Sequence, residues 1–161
     1  MLDIDLKIKL QGHLEIIKRD AQTHQIIDIW DKKNVITYDA ADSITKLLAP
    51  NLVFGPTVQQ ERAIKSMRFG TSNVAPQRTD TGLAAEAIVS GSPIRLELLD
   101  ANRVFGASGT ILFVATMDTL TGNGVTYREA GLFTRGLLDN PLTTSGSVMF
   151  AHQTFPDQIK T

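Results

Sequence analysis

The sequence predicts a mainly β fold: a β-sandwich or partial barrel of about seven short strands with one α-helix on its side. Three observations lead to this prediction: apolar and polar residues alternate along several short segments, turn-forming residues separate those segments, and only one stretch has a helical period. A chain of 161 residues is the size of one ordinary domain. We expect one domain over 1–161, with a strand hairpin plus helix in 1–49, a connector at 50–62 and the main β-sheet region in 63–161.

The first thirty residues predict three strands. Residues 2–10 alternate between aliphatic and charged side chains (Leu2, Asp3, Ile4, Asp5, Leu6, Lys7, Ile8, Lys9 and Leu10), which is the pattern of a half-buried strand. Residues 13–18 and 25–30 flank a polar segment and predict a hairpin. Ile26, Ile27 and Ile29 do not alternate cleanly, so we expect a bulge there or a strand covered on both faces.

One segment has the period of an amphipathic helix. Ala40, Ile44, Leu47 and Leu48 are spaced so that they share one helical face. Asp39 can cap the first turn, and Pro50 prevents continuation. The sequence therefore predicts a helix at about 40–49.

The second half of the chain is dominated by strand patterns. We expect strands at 63–70, 94–98, 110–117, 125–133 and 147–155, with turns at 100–102, 121–124 and 139–141. A polar loop covers 71–81, and residues 82–87 have the composition of one or two helical turns.

Composition and charge exclude several classes of protein. Sixteen basic residues against seventeen acidic ones, with no run of five like charges, argue against a nucleic-acid binder. No apolar segment approaches the roughly 20 residues that span a bilayer, so we expect no membrane partner and a protein made in the cytoplasm. The absence of cysteine excludes disulfides, thiolate metal sites and a cysteine nucleophile.

No motif of catalysis or cofactor binding is present. His13, His24 and His152 lack metal-ligand spacing, and the segments 122–124 and 106–109 are typical of turns rather than of phosphate loops or nucleophile elbows. Asp3 and Asp5 are interpreted as solvent-facing charges. We therefore expect no catalytic residue, no cofactor, no metal and no enzymatic activity.

Glu129 is the most informative carboxylate because it interrupts a small, apolar strand. We expect it to be structural and buried, and to be held by an arginine or by backbone N–H groups, since an unpaired buried carboxylate is costly. By residue type, the candidate arginines are Arg68, Arg128 and Arg135.

Three segments in order resemble those of a widespread group of tailed-bacteriophage virion proteins. They are MRFGTSNVAP at 67–76 with DTGL at 80–83, YREAGLF at 127–133 and VMFAHQTFP at 148–156. Where such proteins often carry arginine after Phe-Ala, this chain has His152, and many of them continue beyond the position of Thr161 into another strand. The resemblance implies a tail, baseplate, neck or fibre-attachment component located in the virion.

The function that we expect is a non-enzymatic structural component of a tailed-phage particle. Its partners would be other virion proteins and further copies of itself, in rings or bridges between tail, baseplate or neck proteins. Loops 71–81 and 50–62 are long enough to be partner surfaces. One or both of the strands at 2–10 and 147–155 are expected to contact a neighbouring chain, and the alternative is that both are paired within one subunit. The alternatives are a carbohydrate-binding β-sandwich module for host attachment, with Trp30, Tyr38 and Tyr127 as platforms, and a small hydrolase.

Overall fold

The main feature of the fold is a curled half-barrel sheet, observed in a computed structural model that describes residues 11–48, 63–99, 103–106, 110–118, 120–134 and 147–160. Within these residues the chain forms one helix, α1 (Tyr38–Leu48), and ten strands. The strands are β1 (Gly12–Arg19), β2 (Ile26–Ile36), β3 (Ile64–Gly70), β4 (Ile88–Val89), β5 (Ser92–Pro93), β6 (Arg95–Glu97), β7 (Arg103–Phe105), β8 (Ile111–Phe113), β9 (Thr126–Thr134) and β10 (Met149–Ile159).

Six of these strands form the main sheet, in the order β1-β2-β10-β9-β3-β6, and every pairing is antiparallel. The remaining strands form two separate hairpins, β4–β5 and β7–β8. The prediction of a mainly β fold with one flanking helix is confirmed, and of its two forms the partial barrel is the one observed.

The β1–β2 hairpin has the bulge that the isoleucine run predicts. Lys18 pairs with Asp28 while Arg19 pairs with Ile26, so Ile27 is the extra residue. The turn between the strands is built on Asp20, whose Oδ1 accepts hydrogen bonds from the backbone N–H groups of Gln22 and Thr23.

Helix α1 begins two residues earlier than predicted, because Thr37 rather than Asp39 caps it. The Thr37 hydroxyl oxygen accepts from the backbone N–H of Ala40 and donates to the backbone carbonyl of Met149. This cap attaches the helix to β10, and Ala40 and Ser43 are completely buried. Asp39 lies in the first turn, where its charge suits the helix dipole.

For the strand predicted at 147–155, the alternative of pairing within one subunit is the one observed, and the strand extends past Pro156. β10 continues to Ile159, and an irregularity between Thr154 and Gln158 accommodates the proline, which has no N–H to donate. Moreover β10 lies between β2 and β9, so the edges of the sheet are β1 and β6.

The predicted helical turns at 82–87 are wrong. The backbone there bends at residues 82, 84 and 85 and then runs alongside the end of β3: the N–H of Thr71 donates to the carbonyl of Ala85, and the N–H of Ala87 donates to that of Phe69. Tertiary hydrogen bonds to a neighbouring strand override the helical preference of the short run Leu83, Ala84 and Ala85. The strands expected at 94–98 and 110–117 are present but shorter, as β6 and β8.

Several predicted elements lie outside the described residues. They are the strand at 2–10, the connector at 50–62 and the turns at 100–102 and 139–141. The turn predicted at 121–124 is present, and Gly122 and Gly124 have the positive φ that makes glycine suitable there.

A cluster of buried side chains forms the apolar core. Its buried members are Ala87, Ile94, Tyr127, Ala130 and Phe155. The β1–β2 hairpin closes over them, since Leu14, Ile16 and Trp30 pack against this group. The Trp30 and Phe155 rings are 5.6 Å apart between centroids.

Candidate functional site

The most unusual feature of the structure is a completely buried carboxylate in the middle of the sheet. Glu129 on β9 has none of its surface exposed. Its Oε1 accepts from the backbone N–H groups of Ala85 at 2.8 Å and Ser72 at 3.4 Å, and its Oε2 accepts from that of Ala84 at 3.1 Å. The prediction that Glu129 is buried and held by backbone N–H groups is confirmed.

A histidine supplies the remaining partner of Glu129. His152 on β10 is 2% exposed, and its Nε2 lies 3.0 Å from Glu129 Oε2. On the other side of the ring, Nδ1 lies 2.8 Å from Oδ2 of Asp80. Because both carboxylates accept, a ring that satisfies both must carry a proton on each nitrogen and therefore a positive charge. We call Asp80, Glu129 and His152 the carboxylate–histidine cluster.

Opposing effects set the protonation of this cluster. Burial lowers the pKa of His152, but its hydrogen bonds and charge attraction to Glu129 and Asp80 outweigh burial and raise it above the ordinary 6.5. Burial likewise raises the pKa of Glu129, but the hydrogen bonds from His152, Ala85 and Ala84 outweigh it and lower the pKa below 4.5. Both groups are therefore charged around pH 6.

The cluster attaches a long segment to the sheet. We call residues 71–87 the strap. Its base is fixed by the three backbone N–H groups that bind Glu129 and by an isolated bridge between Gly70 and Glu86. Arg128 adds a hydrogen bond from Nη1 to the carbonyl of Thr71.

The tip of the strap, residues 77–80, is fixed separately. Asp80 Oδ2 accepts from the N–H of Gln77 as well as from His152. The carbonyl of Arg78 accepts from the N–H of Tyr38 at the start of α1, and the Arg78 guanidinium lies 4.9 Å from the centre of the Tyr38 ring. Contacts within this chain therefore hold the loop 71–81 in place.

The three segments that carry the sequence resemblance meet at this cluster. Gly70 and Asp80 come from the first segment, Glu129 from the second and His152 from the third. Gly70 pairs directly with Glu129 across the β3–β9 ladder, and because Gly70 has no side chain, the carboxylate of Glu129 can lie close to the backbone of β3. No spacing within one segment reveals this arrangement, because the strand register of β9 and β10 creates it.

The arginines expected to pair with Glu129 have other partners. Arg128 pairs with Asp157, at 2.8 Å and 3.0 Å from its two carboxylate oxygens. Arg68 donates to the Ser147 hydroxyl and lies 4.0 Å from the centre of the Phe133 ring, and its burial lowers its pKa to about 10. Arg135 lies outside the described residues. Of the two alternatives expected for Glu129, backbone N–H groups hold it and neither Arg68 nor Arg128 does; its side-chain partner is His152.

The other candidate residues do not come together. His13 is exposed on β1, with Nδ1 3.3 Å from Asp31, and His24 lies in the hairpin turn with a φ of 56°. Trp30 packs on the core, Tyr127 is buried with its hydroxyl donating to the carbonyl of Gly122, and only Tyr38 of the three proposed platforms is exposed. Asp3 and Asp5 lie outside the described residues.

A small cavity lies beside the strap, with a volume of about 200 Å³. It is lined by Arg68, Thr81, Gly82, Leu83, Glu86, Phe133 and Ser147. Glu86 contributes a carboxylate to the lining, and this carboxylate already accepts two hydrogen bonds from Arg95. Pockets for small-molecule ligands are usually larger, at roughly 300–1,000 Å³.

The chemistry that the cluster supports is structural. Both ring nitrogens of His152 are engaged, so neither offers a lone pair to a metal, and neither Glu129 nor His152 is accessible to a substrate. In the part of the chain that the structure describes, no group of three or more acidic or histidine side chains is arranged to hold a metal ion. The expected absence of enzymatic activity, metal and cofactor stays a prediction.

Among the residues that the structure describes, the one helix, α1, is not long and apolar enough to cross a membrane. Comparisons with protein-family models, with curated proteins and with solved structures find no match to this chain.

Proposed function

We propose that this protein is a non-enzymatic structural component of a tailed-phage particle and that it assembles with copies of itself and with other virion proteins. The resemblance of three segments to phage virion proteins supports the phage assignment. All three segments contribute a residue to the enclosed carboxylate–histidine cluster, so residues that carry the resemblance have a structural role in this chain.

The observation that carries an assembly function is the β7–β8 hairpin. Val104 pairs with Leu112 and shares a face with it, while Phe105 and Ile111 share the opposite face. All four side chains are exposed, Phe105 by 76%. A two-stranded hairpin is at best marginally stable in water, and apolar side chains on both faces are typical of strands covered on both sides.

The occupant that we propose for this hairpin is a second copy of the chain. Residues 104–117 contain no charged side chain, so two copies can approach at this segment without charge repulsion. Exposed apolar clusters of this kind mark interaction sites in soluble proteins.

The double substitution Phe105→Ser and Leu112→Ser, one on each face of the hairpin, is expected to turn an oligomer into a monomer without unfolding it. Sedimentation velocity measures the mass, and circular dichroism checks the fold. Ile88→Ser is the matched control, since Ile88 is 64% exposed but lies in the β4–β5 hairpin. An oligomer of unchanged size in the double variant would contradict the role of the β7–β8 hairpin.

The N-terminal segment is expected to contribute to the same assembly. β1 is an edge of the main sheet, and the alternating residues 2–10 immediately precede it in the chain. Removal of residues 1–10 is expected to leave a folded monomer, measured by the same sedimentation experiment. A truncated chain that unfolds would place the segment in its own subunit, and one that keeps its oligomeric state would show that the segment has no part in assembly.

Electron microscopy of the native assembly tests the phage assignment itself. A fixed copy number of this chain in a virion supports the proposal. A free monomer that binds glycans would support the alternative of a carbohydrate-binding module, for which Tyr38 is the exposed member of the three proposed platforms, Trp30, Tyr38 and Tyr127.

A further inference from the structure

The two hydrogen bonds of His152 can exist together only while the ring is protonated. Nδ1 faces Asp80 and Nε2 faces Glu129, and an ionised carboxylate can only accept a hydrogen bond from either nitrogen. A neutral imidazole donates from one nitrogen and presents a lone pair on the other. Loss of one proton therefore turns one of the two attractive contacts into a repulsive one.

We propose that His152 is a proton-dependent latch: its protonated form fixes the tip of the strap to the sheet, and its deprotonation releases the tip while the base of the strap stays attached. The two halves of the strap differ in this way because they depend on different carboxylates. The tip is held through Asp80, and the base is held through Glu129.

The solvent exposure of the two carboxylates decides which hydrogen bond of His152 breaks. Glu129 has no exposed surface and is bound by three backbone N–H groups, so it cannot move into water. The side chain of Asp80 is 25% exposed and lies in a loop, so it can be solvated by a small movement. The remaining proton of a neutral His152 is therefore retained on Nε2, towards Glu129.

Among the residues that the structure describes, the charges that act on the ring are the carboxylates of Asp80 and Glu129. From β2, the strand partner of His152 is Val35, which does not titrate. From β9, the partner is Gly131, and Arg68 lies beyond it on β3 with Ser147 as a hydrogen-bond partner. Helix α1 packs on β10, and its described buried residues are the uncharged Ala40 and Ser43.

The sign of the pH dependence follows from the pKa shifts. Because the pKa of His152 is raised in the folded protein, its contribution is complete below 6.5 and is lost as the pH rises through the folded value. The pKa of Glu129 is lowered, so its contribution is complete above 4.5 and is lost as the pH falls through the folded value. The latch is therefore closed between pH 4.5 and pH 6.5, and it opens as the pH rises through the folded pKa of His152.

Hydrogen exchange of the isolated chain between pH 6 and pH 9, corrected for intrinsic exchange rates, tests the latch. Protection of the N–H groups of Tyr38, Gln77 and Asp80 is expected to fall as the pH rises towards the folded pKa of His152, by up to about tenfold for each pH unit, and to level off once that pKa is passed. Protection of the N–H groups of Ala84 and Ala85, which bind Glu129, is expected to stay constant.

Three variants separate the latch from a general loss of stability. His152→Arg carries a permanent charge and two donor positions, so protection of the tip should not change with pH. Asp80→Asn removes the negative charge at the tip, so protection there should be low at every pH, with the base unaffected. His13→Gln is the control, because His13 also contacts a carboxylate but is exposed, and the pH dependence should persist.

Each outcome decides for or against the latch. Constant protection of the tip from pH 6 to 9 in the unmodified chain would overturn it, as would a pH dependence that survives in Asp80→Asn. If His152→Arg does not fold, the Asp80→Asn result decides alone, since that variant leaves the Glu129–His152 contact in place. Because the experiment uses the isolated chain, its result does not depend on the proposed assembly.

Discussion

Replacing Glu129 by Gln is expected to lower the free energy of unfolding by about 3 kcal/mol, which is the range measured when one member of a buried charged pair is removed. All four partners of the carboxylate are donors: Oε1 accepts from Ser72 and Ala85, and Oε2 accepts from Ala84 and His152. A glutamine of the same shape brings an NH₂ group, and in either orientation that group faces two donors. The charge of His152 is then left with Asp80 as its only carboxylate.

Chemical denaturation at pH 6 measures this loss, because both members of the pair are charged at that pH. Glu97→Gln is the matched control: Glu97 is an exposed glutamate on the edge strand β6 of the same sheet, and its substitution should change stability by no more than about 0.5 kcal/mol. Equal stabilities of the Glu129 and Glu97 variants would show that the buried cluster makes no net contribution to folding.

Replacing Gly70 by Ala is expected to have an effect of similar size, about 3 kcal/mol, for a steric reason. A Cβ atom at this position would lie 2.5 Å from the backbone carbonyl oxygen of Ala85 and closer still to Glu129 Oε1. Neither neighbour can move away at low cost, since the carbonyl accepts from Thr71 and the carboxylate is bound on both oxygens. The added methyl group must therefore push the strap off the sheet.

Gly82→Ala provides the control for this substitution. Gly82 lies in the same strap, but a Cβ atom there would meet nothing within 4 Å. Its stability should be unchanged or raised by up to about 1 kcal/mol, because alanine reduces the freedom of the unfolded chain. Thermal unfolding of the two variants side by side measures the difference, and a Gly70→Ala protein as stable as Gly82→Ala would refute the close packing of strap and strand.

The sequence by itself determined the elements whose signal is local. The helix predicted at about 40–49 and the strands predicted at 63–70 and 125–133 are present within two residues of those bounds, because side-chain periodicity reflects the geometry of a few adjacent residues. The broken alternation near Ile27 indicated a bulge or a strand covered on both faces, and the bulge is observed. The burial of Glu129 was also predictable, since a single charged residue in a small, apolar strand must be enclosed and satisfied if the strand is in the core.

Only the tertiary structure decided which residues meet. Twenty-three positions separate His152 from Glu129 and seventy-two separate it from Asp80, and their contact depends on the register of β9 and β10 and on the path of the strap. The same long-range pairing places β10 inside the sheet and attaches residues 85–87 to the end of β3 in place of a helical turn. Hydrogen bonds between distant segments leave no periodic trace in the chain, so the partner of a buried charge cannot be predicted from residue type alone.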